Sequence, residues 1–331
     1  TTSQSNSIYG QDLAKVYRPR FLSTSAKKIL GFNTYAFGET FQVWAIRRII
    51  KRYKIEFDVV YAHFISNAFI ALRATARSNQ QVFAAIGESN IDSRRAMYPV
   101  GYFKKQLGAI NGYIAVSPKL KNKLISFGVP DKKISVFPNA VNLNHFYPRE
   151  KFEMRKKHDL PLNKKLIVFV GRFIEHKGPL RLLEAVSQLS NIGIIFIGSG
   201  NQSLKGPQIV FKERVPTKLV PELLSAADLF VLPTLQEGSC NSIIEAMACG
   251  LPVISSKIPE VEVQCEPSYS ILVDPLNVNA IREAIKSIIN NDSKLIKMSI
   301  NALASSKNFN IANRANNIIG FISKKANHPH Y

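Results

Sequence analysis

The sequence predicts an α/β protein of two domains, the second a doubly wound parallel sheet. Three observations carry that expectation. Short apolar runs alternate with helical stretches through the second half, as a parallel sheet with covering helices requires. The chain has 331 residues, ample for two α/β cores of ordinary size. Residues 143–163, charged and punctuated by Pro148 and Pro161, separate the halves and read as a linker.

In chain order, residues 41–54 carry a basic amphipathic helix pattern. Strand patterns follow at 57–64, 81–89, 114–117 and 135–142. After the linker the expected strands are 165–171, 193–197, 208–211, 229–232, 252–255 and 271–273. Helices are expected near 179–188, 217–226, 242–249, 277–290 and 293–305, and a last one in 309–321.

The densest motif is Glu237-Gly238-Ser239-Cys240-Asn241-Ser242-Ile243-Ile244-Glu245, which runs on to Gly250-Leu251-Pro252. It sets two carboxylates eight positions apart across a loop-to-helix junction, between two buried-strand runs. Backbone N–H groups and the positive end of a helix can receive a phosphate there. One acid then lies outside the helix and the other inside its first turn. That suits a ligand with hydroxyls at both ends and charge in the middle, such as a nucleotide sugar. A plainer account covers part of the motif. Ser242 and Glu245 fit a reciprocal capping box, and Gly250 with Pro252 an ordinary helix stop. Capping leaves Glu237 and the small polar loop unexplained.

A second cluster follows the strand ending at Gly171. Arg172 and Lys177 flank the turn at its carboxyl end, the edge where open α/β sheets bind ligands. A guanidinium fork and an ammonium point charge suit a diphosphate. Solvated loop cations are the alternative for either residue alone. Two such clusters in one domain point to a site.

These residues resemble the retaining glycosyltransferases of family 4, whose GT-B fold sets two Rossmann-like domains facing across a cleft. The resemblance rests on Phe169-Val170-Gly171-Arg172 with Lys177-Gly178, on Ile197-Gly198-Ser199-Gly200, and on Ala227-Asp228 through Pro233. The Glu237-to-Ile254 segment, Pro259-Glu260 and Leu272-Val273-Asp274-Pro275 extend it. It implies an acceptor-side domain over 1–148, a nucleotide-sugar domain over 149–308, and a C-terminal helix in 309–331 that crosses back. It implies that Arg172 and Lys177 hold the donor diphosphate, Glu237 the sugar hydroxyls and Glu245 the ribose. Gly238, Ser239, Cys240, Asn241 and Ser242 would offer donors to sugar and phosphates, and Arg214 and Val215 would seat the base. His63 resembles the family's strand-end histidine facing the donor sugar and completes a catalytic set with Arg172, Lys177 and Glu237. A lone histidine after a strand is otherwise more often structural. Glu88 either faces the acceptor or merely opens the next segment.

The chain also departs from the family. Ala140 and Asn142 stand where Gly and Asp are usual, and Lys257 and Ile258 where a glycine pair is common. Thr1 to Asn6 resembles nothing of the family's opening strand and Gly-rich loop. A first domain lacking its first strand and helix is therefore expected.

Composition narrows the classes. Cys240, Cys249 and Cys265 include no close pair, so no disulfide or metal framework is expected and a reducing compartment is. No D-x-D pair is present, so the expectation is metal-independent transfer with no cofactor, the nucleotide-diphosphate sugar being substrate. No apolar run reaches transmembrane length and the polar start is not a signal peptide, which suits a cytoplasmic protein. The net charge is +21. Residues 1–150 hold 22 Lys and Arg against 8 Asp and Glu, a net +14. Such excess calls for an anionic partner or surface. Arg47, Arg48, Lys51, Arg52 and Lys54 in the amphipathic stretch make the inner face of a membrane the candidate. Solvated cations on an ordinary helix are the plainer account.

The resulting expectation is transfer of a sugar, with retention, from a UDP- or GDP-sugar to a glycan or lipid-linked acceptor, in cell-surface polysaccharide or glycolipid synthesis. Nucleic acid is not an expected partner, because no basic–aromatic module accompanies the charge. A nucleic-acid-binding protein is still the rival from another class, and a GT-B-type sugar-nucleotide epimerase the rival enzyme.

Overall fold

The computed structural model describes residues 3–6, 15–22, 28, 29, 32, 33, 35–76, 80–88 and 91–326. Residues 1 and 2 of the opening hexapeptide, Ser89 of the second expected strand and the tail 327–331 lie outside the described residues.

The chain begins with two antiparallel ribbons, β1 (Ser3–Asn6) with β2 (Lys15–Arg18) and β3 (Lys28–Ile29) with β4 (Phe32–Asn33). A four-stranded sheet follows in the order β5-β6-β7-β8, from β5 (Val59–His63), β6 (Gln81–Ile86), β7 (Gly112–Ala115) and β8 (Ile134–Val136). Its β5–β6 and β6–β7 pairs are parallel. The second sheet has six strands: β9 (Lys165–Val170), β10 (Ile192–Ile197), β11 (Ile209–Glu213), β12 (Leu229–Leu232), β13 (Val253–Ser256) and β14 (Ser270–Val273). Their order is β11-β10-β9-β12-β13-β14, and every neighbouring pair is parallel.

The continuous apolar runs of the second half become strands because both faces of a parallel sheet are covered. Leu166, Ile167, Val168 and Phe169 of β9 are all fully buried, as are Leu229 to Leu232 of β12. Each such side chain contributes about 1.5–3 kcal/mol by leaving water. Helices Pro179–Val186, Val220–Ala226, Asn241–Ala248, Val278–Ile289 and Asp292–Ser306 alternate with these strands or follow them. Side-chain amides of Asn277 and Asn291 cap helices Val278–Ile289 and Asp292–Ser306 by accepting from Ala280 N and Lys294 N.

Contacts divide the chain into two units. The first comprises Thr1–Ala115, Lys121–Ser135 and Phe321–Tyr331, the second Val116–Leu120 and Val136–Gly320. The stretch from Val136 joins the second unit through Val141, whose N–H donates to Phe309 O at 2.8 Å and whose carbonyl accepts from Ile311 N at 3.1 Å. The last helix, Ile311–Ala326, has residues in both units. In the first, its Phe321 ring meets Phe83 edge-on at 6.2 Å.

The expected linker is part of the fold. Residues 143–163 contain helix Lys151–Lys157, in which Lys151, Arg155 and Lys157 are ion-paired. The buried Arg155 donates to Ala226 O at 2.8 Å and to Asp228 at 2.7 Å. Asp228 also takes Lys151 and the Leu166 N–H, each at 2.7 Å. Burial works to raise the Asp228 carboxyl, but Lys151, the Leu166 N–H and Arg155 outweigh it and hold the group below the usual carboxylate range. Buried ion pairs of this kind fix one arrangement, because losing one partner strands the other in the core.

Candidate functional site

Counted along the second sheet, the strands run third, second, first, fourth, fifth, sixth, so the order reverses between β9 and β12. Loops leaving the carboxyl ends of two such strands open a crevice, the place where open α/β sheets take ligands. Both charged clusters are those loops.

The loop after β9 is fixed by close backbone approach. Gly171 N donates to Ile197 O at 3.0 Å and Phe173 N to Ser199 O at 2.8 Å. A Cβ on Gly198 would stand 1.9 Å from Gly171 O, and its φ is +148°, which accounts for the glycine in Ile197-Gly198-Ser199-Gly200. A 3₁₀ turn, Glu175–Lys177, then ends at Gly178 with φ +76°; a Cβ there would meet Pro233 O at 2.3 Å. This approach joins the two loops. His176 O accepts from Leu235 N at 2.7 Å and from the Thr234 hydroxyl at 3.0 Å, while Arg181 donates to Pro233 O at 2.9 Å.

Lys177 is thereby carried to Glu237, with Nζ 2.5 Å from Oε1. Glu237 is only 7% exposed. Arg172 is exposed and makes no ion pair among the described residues, so its fork is open to an anion. His176 registers the local field: burial lowers its pKa first, then Lys177 and Arg172, with Glu237 opposing them.

The loop after β12 opens helix Asn241–Ala248, and here the structure corrects the expected cap. The N-cap residue is Cys240, with no side-chain cap bond. Ser242 already lies inside the helix, its hydroxyl 3.3 Å from Cys240 Sγ, so the Ser242–Glu245 capping box does not form. Glu245 falls past the first turn, and its carboxylate has no hydrogen bond or ion pair among the described residues. Burial raises it to about 7. Only the weakly accepting Cys240 thiol stands against a first-turn N–H, that of Ile243, so this helix end carries no side-chain oxygen as its cap.

Two amide side chains hold this uncapped loop from outside. Gln264, 1% exposed, accepts from Cys240 N at 2.8 Å and donates to the Ser239 hydroxyl at 3.2 Å. Asn139 donates to Asn241 Oδ1 at 2.8 Å and to Ser239 O at 3.4 Å. Sequence reasoning gave neither a role. Their partners lie 24 and about 100 positions away, so no local pattern signals them.

The remaining expected residues stand apart. Arg214 and Val215 follow β11, the edge strand, with Arg214 exposed and Val215 packed on the core. They lie at the same carboxyl edge of the sheet, two strands from β9. His63 ends β5 in the first unit, exposed and edge-on to the Tyr61 ring at 5.1 Å. The turn after it is tight: Phe64 has φ +72° and donates to Ala85 O at 2.8 Å. Glu88 is buried and accepts from Ile65 N at 2.6 Å. It satisfies the start of helix Ile65–Thr75. Among the described residues no three His, Cys, Asp or Glu side chains gather as a metal-ion site.

Known proteins share this fold. The family described as Glycosyl transferases group 1 matches residues 150–304, and the one described as Glycosyltransferase Family 4 matches residues 23–145. Each half of the chain thus matches a glycosyltransferase family, and the fold is GT-B. TuaC of Bacillus subtilis, a glycosyltransferase assigned to teichuronic acid biosynthesis, is 30% identical to this chain over 249 residues, 73% of this chain and 64% of that one. The matched region spans less than two thirds of the first curated relatives' length. Sucrose-phosphate synthase from Thermosynechococcus elongatus superposes with a TM-score of 0.80 at 19% identity, over 97% of this chain and 85% of that one. Anabaena HepE in complex with UDP-glucose gives a TM-score of 0.73 at 18% identity, over 85% and 82%. At those identities the likeness shows the shared fold.

Proposed function

We propose that this glycosyltransferase moves a sugar from a UDP- or GDP-sugar to a glycan or lipid-linked acceptor with retention at the anomeric carbon. The observation that carries the reading is the Lys177–Glu237 pair at the β9/β12 reversal, beside an uncapped helix end. Diphosphate fits between Arg172, Lys177 and the first-turn N–H groups of helix Asn241–Ala248. An ammonium has three donors, so Lys177 can keep Glu237 while turning another toward phosphate. Glu237, acceptor-only when ionised, takes hydroxyls of the donor sugar. Glu245, partnerless and partly desolvated, takes the ribose hydroxyls. Gly238, Ser239, Cys240, Asn241 and Ser242 supply the remaining contacts, and Arg214 and Val215 seat the base.

In the reaction the bond from the anomeric carbon to the diphosphate breaks and an acceptor oxygen takes its place. Negative charge gathers on the departing diphosphate, where Arg172 and Lys177 stabilise it without reorganising. His63 is the first unit's candidate participant. The HepE complex with UDP-glucose supports a nucleotide-sugar donor, and the assignment of TuaC supports a cell-surface glycan pathway. No helix of the described residues is long and apolar enough to cross a membrane, and we place the enzyme at the cytoplasmic face as a peripheral protein. Turnover of a UDP- and GDP-sugar panel tests the reading. Hydrolysis or epimerisation of the donor alone, with no transfer to any glycan or lipid acceptor, would overturn it.

A further inference from the structure

The first unit carries a face that the sugar chemistry does not use. Helix Tyr35–Tyr53 packs its Val43 and Ile46 side against Ile70 and Ala74 of helix Ile65–Thr75. Its opposite side leaves Phe41 38% and Trp44 58% exposed. Phe21, 41% exposed, and Leu22, 69% exposed, lie beside them. Arg20, Phe21, Leu22, Thr40, Phe41 and Trp44 line one groove of about 610 Å³. A smaller hollow shares Arg20 and Trp44 and adds Arg48 and Arg52. Single exposed apolar side chains need no explanation, but four large ones gathered along one groove mark an interaction surface.

The charge around that groove identifies the occupant. Arg48 lies over the Trp44 ring at 5.2 Å, and Lys51 and Arg52 are exposed on the same helix. None of Arg20, Arg48, Lys51 and Arg52 makes an ion pair among the described residues. The helix's one acid, Glu39, is buried and held by Arg73 and Tyr98, so it does not offset them. Arg47 is different: it donates to Ala74 O and Arg73 O at the end of the neighbouring helix and belongs to the fold. An apolar centre holding Trp and Phe, ringed by unpaired cations, complements acyl chains beneath anionic headgroups.

We infer that this face docks on an anionic lipid leaflet. Trp44, Phe41, Phe21 and Leu22 enter the acyl boundary, and Arg20, Arg48, Lys51 and Arg52 meet the headgroups. This deepens the peripheral reading above, on which it rests for location alone, and it is independent of the transfer chemistry.

Trp44 is the chain's single tryptophan, so its fluorescence reports the face directly. The full chain is titrated with vesicles of phosphatidylcholine alone and of phosphatidylcholine mixed with phosphatidylglycerol, at low and high salt. A blue shift and quenching by bromolipid are expected on the mixed vesicles, weakening as salt rises. Changing Arg20, Arg48, Lys51 and Arg52 together to Gln keeps the reporter, and weakens binding on the order of 10²–10³-fold. Trp44→Ala, followed by co-sedimentation, weakens it about tenfold. An unchanged spectrum on mixed vesicles, equal binding to both vesicle types, or full binding by the four-Gln variant would overturn the inference. So would a blue shift that follows protein concentration without lipid, which is the mark of a second copy on this face. UDP and GDP binding in lipid-free samples of the same variants stays at the wild-type level, so failure here is distinguishable from failure of the transferase reading.

Discussion

The two sheets of this chain are built from the same kind of strand and differ in what their order does. In the second unit the strands reverse between β9 and β12, so two loops open at one crevice and bring Lys177 to Glu237. In the first unit the described strands run in simple sequence, and the carboxyl edge carries His63, with no charged partner among the described residues. Charge follows the same division. Cations at the second unit's crevice stand among acids and helix ends, whereas those on the first unit's outer helix face stand among exposed aromatic side chains. A reversal in strand order brings two loops together at one crevice, as at β9 and β12.

The comparison is broken most sharply by removing the crevice charges. Glu237→Ala and Arg172→Ala are each expected to lower kcat by about 10²–10³, because a charge-assisted contact to developing charge is worth about 2.7–4 kcal/mol. Steady-state kinetics at saturating donor check this, with circular dichroism to confirm the fold. Turnover near wild type in either variant would remove the second unit's claim to the chemistry.

Gln264→Leu sharpens the claim that the uncapped loop is held from outside. It leaves the Cys240 N–H without its acceptor, a loss of about 1–3 kcal/mol. The expected result is a donor KM raised roughly tenfold with kcat little changed. A lowered melting temperature with KM untouched would make Gln264 a packing residue only.

Glu245 yields a pH dependence. Its carboxyl is raised to about 7 by burial, so the folded protein keeps a proton that the unfolded chain loses at the usual carboxylate pKa. Its contribution to stability is therefore present below that usual value and is lost as pH rises through about 7. Nucleotide affinity runs the other way, because the ionised carboxylate is the form that accepts both ribose hydroxyls. Wild-type affinity for UDP or GDP should rise through pH 7, and Glu245→Gln should flatten that rise. With no capping box to lose, stability of the variant should not fall. A profile unaltered by the substitution would take the ribose role from Glu245.

His63→Ala has the smallest expected effect. Its side chain is exposed with no hydrogen bond among the described residues, so stability should change by less than about 0.5 kcal/mol. A drop in kcat at unchanged stability would join the first unit's strand end to the chemistry, and unchanged kcat would take the catalytic role from His63.

Much of the second unit was legible because its strands are buried on both faces. Residues 229–232 were expected and observed with the same limits, and 165–171 differs from β9 by one residue. What escaped depends on distant partners. Helix Lys151–Lys157 hides in a Pro-bounded charged stretch because its charges are taken up by Asp228 and Glu222, some seventy positions on. The Ser242–Glu245 pattern matches a capping box, yet Gln264 and Asn139 hold the loop so that the helix starts at Asn241. Glu88 has its partner in Ile65 N, 23 positions earlier, which no local pattern shows. Charge alone also grouped Arg47 with the docking cations, and only its carbonyl partners separate it.

The central claim is that nucleotide diphosphate binds at the β9/β12 reversal. Calorimetric titration of the full chain with UDP and with GDP, in wild type and Arg172→Ala, tests it most directly. One of the two nucleotides is predicted to saturate a single site per chain, with affinity reduced at least about tenfold in the variant. Saturation by neither nucleotide, or equal affinity in both proteins, would contradict it.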